Sequence, residues 1–273
     1  MVILSPHSTP YPEVNTVLQR LLSDVRAILG TQFLGKYISG SLAMGDFDES
    51  SDIDALVVTT DALPEEVVCA LAQMHERLSA AYPRWGVELE VSYIPRHAVR
   101  RYDPAYDLHP YIGRGESLRI EEHGREWDIQ RHVIRERGIV LAGPAPRTLI
   151  DPVHPDDIRR AVLVTLREFW PRRFHDPIEL HPRGYRSYIV LTGCRMLYTL
   201  EYGTVASKPV AARWAQDTLG TRWVMLIEWA VAARRDPHSG ELDNLSGAQD
   251  FIRYVIDCAR RFDLLTDTAP STG

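Results

Sequence analysis

Asp52 and Asp54 are separated by one residue at the head of the apolar run Ala55-Leu56-Val57-Val58. In a strand alternate side chains point to the same face, so the two carboxylates share one. Adjacent carboxylates repel unless a positive charge lies between them. A divalent cation meets that need. An all-oxygen ligand set suits Mg²⁺, which fills the rest of its shell with water and phosphate oxygens. A phosphate grip stands nearby in the pair Gly40-Ser41, between a predicted strand and a short predicted helix through Leu42, Ala43 and Met44. Glycine lets main-chain N–H groups approach phosphate oxygens closely, and the Ser41 hydroxyl can donate to one. The start of the helix adds its dipole. A third carboxylate is expected from a strand over 86–94, where Val87, Leu89, Val91 and Tyr93 alternate with Glu88, Glu90 and Ser92. Glu88 and Glu90 face the same side. Alternation therefore leaves both open, as metal ligand or as partner of a substrate hydroxyl. Asp46, Asp48 and Glu49 lie in the loop between the two motifs and are read as solvated charge.

The elements that must hold these residues follow from periodicity. Val14, Val17, Leu18, Leu21, Leu22, Val25, Ile28 and Leu29 keep the 3.6-residue period of a helix that starts near Pro12 and stops at Gly30. Strands are predicted at 33–39 and 53–60. Pro64 opens a helix with Val67, Val68, Leu71, Met74 and Leu78 on one face, and the strand at 86–94 follows. Residues 95–125 are broken by Pro95, Pro104, Pro110, Gly113, Gly115 and Gly124, and are read as irregular or as short pieces. From Trp127 to Val140 a helix runs into a short strand. Gly143-Pro144-Ala145-Pro146 and Asp151-Pro152-Val153-His154-Pro155 read as a linker. Helices are predicted beyond it at about 156–169, 184–202, 208–218, 222–235 and 245–263. The fold class is an α/β (α+β) N-terminal domain with a short mixed sheet over 1–153, then an all-α helical bundle over 154–273.

The 273 residues, 45% of them hydrophobic, suffice for two cores. A net charge of −6 argues against a general nucleic-acid binder, which is usually basic. The three cysteines, Cys69, Cys194 and Cys258, are far apart in apolar helical contexts and are read as reduced, buried thiols of a cytoplasmic protein. No signal peptide is evident in the first residues. No apolar run approaches the roughly 20 residues of a membrane span, and no membrane partner is expected.

Gly40-Ser41, Gly45 and Ser51-Asp52-Ile53-Asp54 together resemble the signature of the polymerase-beta-like nucleotidyltransferases. Within that superfamily the chain is similar to the aminoglycoside adenylyltransferases that modify streptomycin and spectinomycin. Leu89-Glu90-Val91-Ser92 resembles their catalytic-glutamate strand. Arg135-Glu136, Val140-Leu141-Ala142-Gly143-Pro144 and Asp151-Pro152-Val153 resemble the segments around their domain boundary. Leu191-Thr192, Arg195, Tyr198, Gly203, Lys208, Val210-Ala211-Ala212 and Trp214 resemble the nucleotide-contacting stretch of their helical domain. The resemblance covers roughly residues 35–260.

The resemblance implies an N-terminal nucleotidyltransferase domain with ATP as co-substrate and Mg²⁺ as cofactor. It implies Asp52 and Asp54 as metal ligands, and Glu90 as catalytic base and further metal ligand. It implies nucleotide contacts from Gly40, Ser41, Asp52, Asp54, Arg195 and Lys208. Arg195 sits among Leu191, Cys194, Leu197 and Tyr198, where a charge needs a partner such as a phosphate. Acceptor contacts are expected from Glu88, Trp170, Asp176 and Glu179. The arginines and histidines between Trp170 and Tyr185 argue against streptomycin, a polycation, as the acceptor. The implied reaction is AMP transfer from ATP to a hydroxyl of an aminoglycoside or aminocyclitol, with release of pyrophosphate and antibiotic resistance as the outcome. The chain is expected to act as a monomer. Two rival readings are a nucleotidyltransferase acting on a tRNA or protein hydroxyl, and a non-catalytic nucleotide-binding module.

Overall fold

The computed structural model describes residues 9–170, 183–235 and 245–265. The chain divides into two compact units, 1–153 and 154–273. The first runs α1 (Pro12–Leu29), β1 (Phe33–Ile38), α2 (Gly40–Met44), β2 (Ile53–Thr59), α3 (Glu65–Ala81), β3 (Leu89–Pro95), α4 (Arg96–Val99), β4 (Leu108–Ile112), β5 (Arg119–Glu122), α5 (Asp128–Arg137) and β6 (Ile139–Ala142). The strands form one mixed sheet in the order β5-β4-β3-β2-β1-β6. β2 and β3 are parallel, as the intervening helix α3 requires, and every other pairing is antiparallel.

Alternation along the strands builds two cores. Ile38, Ile53, Ala55, Val57, Leu89, Val91 and Tyr93 face one side, against Val14, Leu18, Leu21 and Val25 of α1 and Leu71, Met74 and Leu78 of α3. Tyr37, Leu56, Val58 and Ile94 face the other side, against Ile134 of α5 and Leu149-Ile150. The apolar stripe at helical spacing explains why α1 forms and what it buries. Pro12 sits in its first turn and Gly30 just past its end.

Two details differ from the sequence reading. The third strand begins at Leu89, and residues 83–88 are a turn. Residues 95–125 hold more order than their prolines and glycines suggest: the one-turn helix α4 and the hairpin β4–β5. Pro110 pairs with Ile120 of β5 and lies outside the ladder to β3, which covers only Tyr111 and Ile112.

In the second unit α6 (Pro155–Val164) continues as a π-turn over Thr165–Phe169. α7 (Arg183–Tyr202), α8 (Lys208–Thr218), α9 (Thr221–Arg235) and α10 (Leu245–Ala259) follow. α7 packs against α6, α8, α9 and α10, so it is the centre of the bundle. Arg159 of α6 donates to the carbonyls of Leu200 (2.8 Å) and Glu201 (3.0 Å), satisfying two orphan groups at the end of α7. Gly203 ends that helix with φ 63°, and a Cβ there would lie 2.6 Å from Pro155.

The expectation of three buried thiols is corrected. Cys194 is buried and its thiol is pushed up to about 12 by that burial, but Cys69 is exposed and Cys258 half-buried. Cys69 lies two positions before Leu71, roughly 200° around the helix from the packed face. No helix among the described residues is long and apolar enough to cross a membrane.

Candidate active site

β2 and β3 bring the acids together. In their parallel register Asp54 lies opposite Glu90. Both project to the face that carries Leu56, Val58 and Ile94. Asp52 precedes the strand by one residue. One ligand oxygen each from Asp52, Asp54 and Glu90 lie within 4.8 Å of one another, and all three residues are half-buried. Three convergent carboxylate oxygens are the donor set a hard divalent cation takes.

The glycine of the Gly-Ser pair is fixed by this cluster. Gly40 has φ 57°, and a Cβ built on it would lie 1.7 Å from Asp54 Oδ2. Any other residue would displace the carboxylate. The end of β1 is tied to the same place, since the Ser39 N–H donates to the Asp54 carbonyl at 3.0 Å. Ser41 Oγ is buried and has no hydrogen-bond partner among the described residues. A buried hydroxyl so placed fits a ligand oxygen.

The loop acids separate. Glu49 is solvated and pairs with Arg84 at 3.5 Å. Asp48 is not plain solvated charge. Its Oδ1 accepts from Ser50 N (3.1 Å), Ser50 Oγ (2.9 Å) and Ser51 Oγ (2.9 Å), which folds the turn leading into Asp52. Phe47 anchors this loop in the core against Tyr11 and Trp85.

The structure distinguishes the two glutamates. Arg114, in the β4–β5 turn, takes Glu88 with two nitrogens, Nη2 at 2.9 Å from Oε1 and Nε on Oε2. Glu88 is not in the three-carboxylate cluster. Glu90 is, and its Oε2 accepts a hydrogen bond from the Tyr111 hydroxyl at 3.2 Å. Burial, and then the charge of Asp52, raise the Glu90 carboxyl to about 6; Tyr111 and the Arg114 main chain oppose that rise.

Beside the acids lies a cavity of about 180 Å³ on the α5 face of the sheet. Its lining includes Ser39, Asp54, Glu90, Tyr111, Glu126 and Trp127. A histidine network supports its floor. His123 Nδ1 faces the Glu121 carbonyl (3.2 Å), which only accepts. The proton therefore sits on Nδ1, and Nε2 accepts from Ser92 Oγ at 2.8 Å. Tyr111 stacks edge-on against the same ring. Tyr111, His123, Glu126 and Trp127 line this cavity but do not stand out in the sequence, because they belong to a hairpin and loop with no readable period. Their polar-aromatic clustering was the one available signal.

In the helical unit, Arg195 is half-buried in α7, and its guanidinium has no partner among the described residues. Lys208 opens α8, with Nζ 4.5 Å over the Tyr188 ring. Trp170 is buried, with its ring against Gly193 of α7. Its side chain packs within the bundle. Asp176 and Glu179 lie outside the described residues.

The family model of the aminoglycoside adenylyltransferase C-terminal domain matches residues 148–258. A spectinomycin 9-adenylyltransferase of Staphylococcus aureus is 30% identical over 235 residues, covering 82% of this chain and 84% of that protein. An aminoglycoside (3'') (9) adenylyltransferase of Shigella flexneri is 28% identical over 258 residues, covering 89% and 94%. The solved spectinomycin adenyltransferase AAD(9) from Enterococcus faecialis, with ATP and spectinomycin, has the same fold. Its TM-score is 0.73 at 17% identity, over 90% of this chain and 98% of that one. With a sequence relative matched over most of both lengths, the chain belongs to the aminoglycoside adenylyltransferase family of nucleotidyltransferases.

Proposed function

We propose that this protein transfers AMP from ATP to a hydroxyl of an aminocyclitol or aminoglycoside acceptor, releases pyrophosphate and thereby confers resistance. The observation that carries the reading is the convergence of Asp52, Asp54 and Glu90 across β2 and β3, with Gly40 packed on Asp54. Spectinomycin is the acceptor favoured by the relatives of S. aureus and E. faecialis, which are spectinomycin adenylyltransferases by name.

Asp52, Asp54 and Glu90 are the residues that would hold Mg²⁺. Bound there, the ion would offset charge on the α-phosphoryl group and the leaving pyrophosphate. Ser41 Oγ donates to a phosphate oxygen. Arg195 and Lys208 are the proposed cationic ligands of the nucleotide. Glu90 accepts the proton of the acceptor hydroxyl as that oxygen bonds to the α-phosphorus. The bond from the α-phosphorus to the bridging oxygen breaks, and pyrophosphate leaves with the electron pair. Tyr111 holds the Glu90 carboxylate in place for this transfer.

The test is mass spectrometry of spectinomycin, streptomycin and an RNA after incubation with the protein, ATP and Mg²⁺. A gain of one AMP on spectinomycin is the expected result. Label on RNA or on protein, or ATP binding without pyrophosphate release, overturns the reading.

A further inference from the structure

Glu88 lies just before β3, where two pieces of the site are tied together. Its carbonyl accepts from the N–H of Ile53, the residue between Asp52 and Asp54, at 2.8 Å. The carbonyl of the preceding residue, Val87, accepts from the Gly115 N–H, also at 2.8 Å. Gly115 belongs to the turn between β4 and β5, which closes through the Glu116 N–H on the Gly113 carbonyl at 3.1 Å. The Glu88 side chain grips the same turn, because its two oxygens take the Arg114 guanidinium.

An ion pair between fully exposed groups contributes little, since water solvates both partners and each side chain loses freedom. This pair differs in two respects. The Glu88 side chain is only 18% exposed, and the guanidinium meets both carboxylate oxygens, which fixes orientation as well as distance.

The turn so held bears directly on the base. Two donors of this hairpin reach the Glu90 carboxylate: the Tyr111 hydroxyl at 3.2 Å and the Arg114 main-chain N–H. A glutamate side chain left to itself samples several rotamers. Proton transfer needs it held within hydrogen-bond reach of the acceptor hydroxyl.

We propose that Glu88 and Arg114 are a positioning pair for Glu90. Their ion pair pins the β4–β5 turn, and the pinned turn orients the carboxylate that takes the acceptor proton. The inference rests on the adenylyl-transfer reading and adds the residues that hold its base. Both act through Glu90, and neither is assigned a contact with substrate.

The experiment compares Arg114→Met, Glu88→Leu and the double variant by two measurements. One is steady-state transfer of AMP to spectinomycin, and the other is amide hydrogen exchange of the metal-free protein. Each single variant is expected to lower kcat about tenfold and to leave the KM for ATP within about threefold. Exchange over 113–116 should quicken about tenfold, while β2 and β3 exchange as before, which reports an intact fold. The double variant should cost no more than either single one, as for two residues that act as a unit. Glu88→Gln keeps an acceptor oxygen for Arg114 and should be the mild change. Unaltered kcat or unaltered exchange in both single variants, or costs that multiply in the double variant, overturns the positioning role while the transfer reading stands. If the unmodified protein transfers no AMP to any aminoglycoside, the transfer reading fails and the positioning role falls with it.

Discussion

Asp54 and Glu90 face each other across the parallel strands β2 and β3, residue for residue in register. Each carboxylate comes from a different strand, and helix α3 lies between them in sequence. The distance between them is set by the ladder and not by local chain. A parallel pair is slow to assemble because its contacts are non-local, but once formed it is rigid. It is a suitable mount for a metal and a base.

Glu90 and Glu88 should behave oppositely when neutralised. Glu90→Gln is expected to lower kcat by 10²-fold or more while ATP binding persists. Glu88→Gln should leave kcat within a few-fold, because the Glu88 carboxylate is engaged by Arg114. Steady-state kinetics of the two variants checks both.

Gly40→Ala should be as damaging as loss of a ligand. The added methyl would sit on Asp54 Oδ2 and in a backbone region that suits glycine. Transfer should fall at least 10²-fold and Mg²⁺ affinity should drop, while far-UV circular dichroism stays native.

The raised Glu90 carboxyl has a pH signature. Its folded value of about 6 exceeds the ordinary 4.5, so the folded state binds the proton more tightly. The charged form therefore costs on the order of 2 kcal/mol above pH 6, and the cost disappears below pH 4.5. In metal-free protein Glu90→Gln should raise Tm at pH 8 and not at pH 4. Adding Mg²⁺ at pH 6 should release protons from the unmodified protein and fewer from the variant.

Acid should unfold the first unit through its buried histidines. Burial, the largest cause in each, holds His75, His109 and His123 down near 4. The unfolded chain protonates them near 6.5, so stability falls as pH drops from about 6.5 towards 4. Each contributes on the order of 3 kcal/mol to that loss. Denaturant titrations at pH 7 and pH 5 should differ accordingly, and His75→Gln should flatten the dependence.

Lys36 is fully buried in the same unit, with Nζ bonded to the Leu18 carbonyl at 3.0 Å and its ammonium pulled well below the usual range by burial. Its stability cost grows as pH falls below the unfolded value, near 10.4. Lys36→Met should raise Tm at pH 7, with a smaller gain at pH 10, since an apolar replacement of a buried charge of similar volume is often stabilising.

Local sequence determined a good part of this protein. Period 3.6 in Val14 to Leu29 set α1 and its buried stripe. Period 2 in β2 and β3 placed Asp52, Asp54 and Glu90 on shared faces. The Gly-Ser pair and the Asp pair were legible as a phosphate and metal motif because such chemistry needs those residue types at short spacing. Tertiary structure decided the rest. Glu88 and Glu90 were equivalent by alternation, and only Arg114, brought over by the β4–β5 turn, took one of them away. The hairpin itself was hidden because four- and five-residue strands carrying Pro110 show no period, and pairing with β3 is what orders them. Asp48 looked like loop charge until its turn with Ser50 and Ser51 formed. Ser39, Glu126 and Trp127 meet beside the acids although nearly ninety residues separate Ser39 from the other two. No local pattern encodes that meeting; sheet order and the packing of α5 produce it.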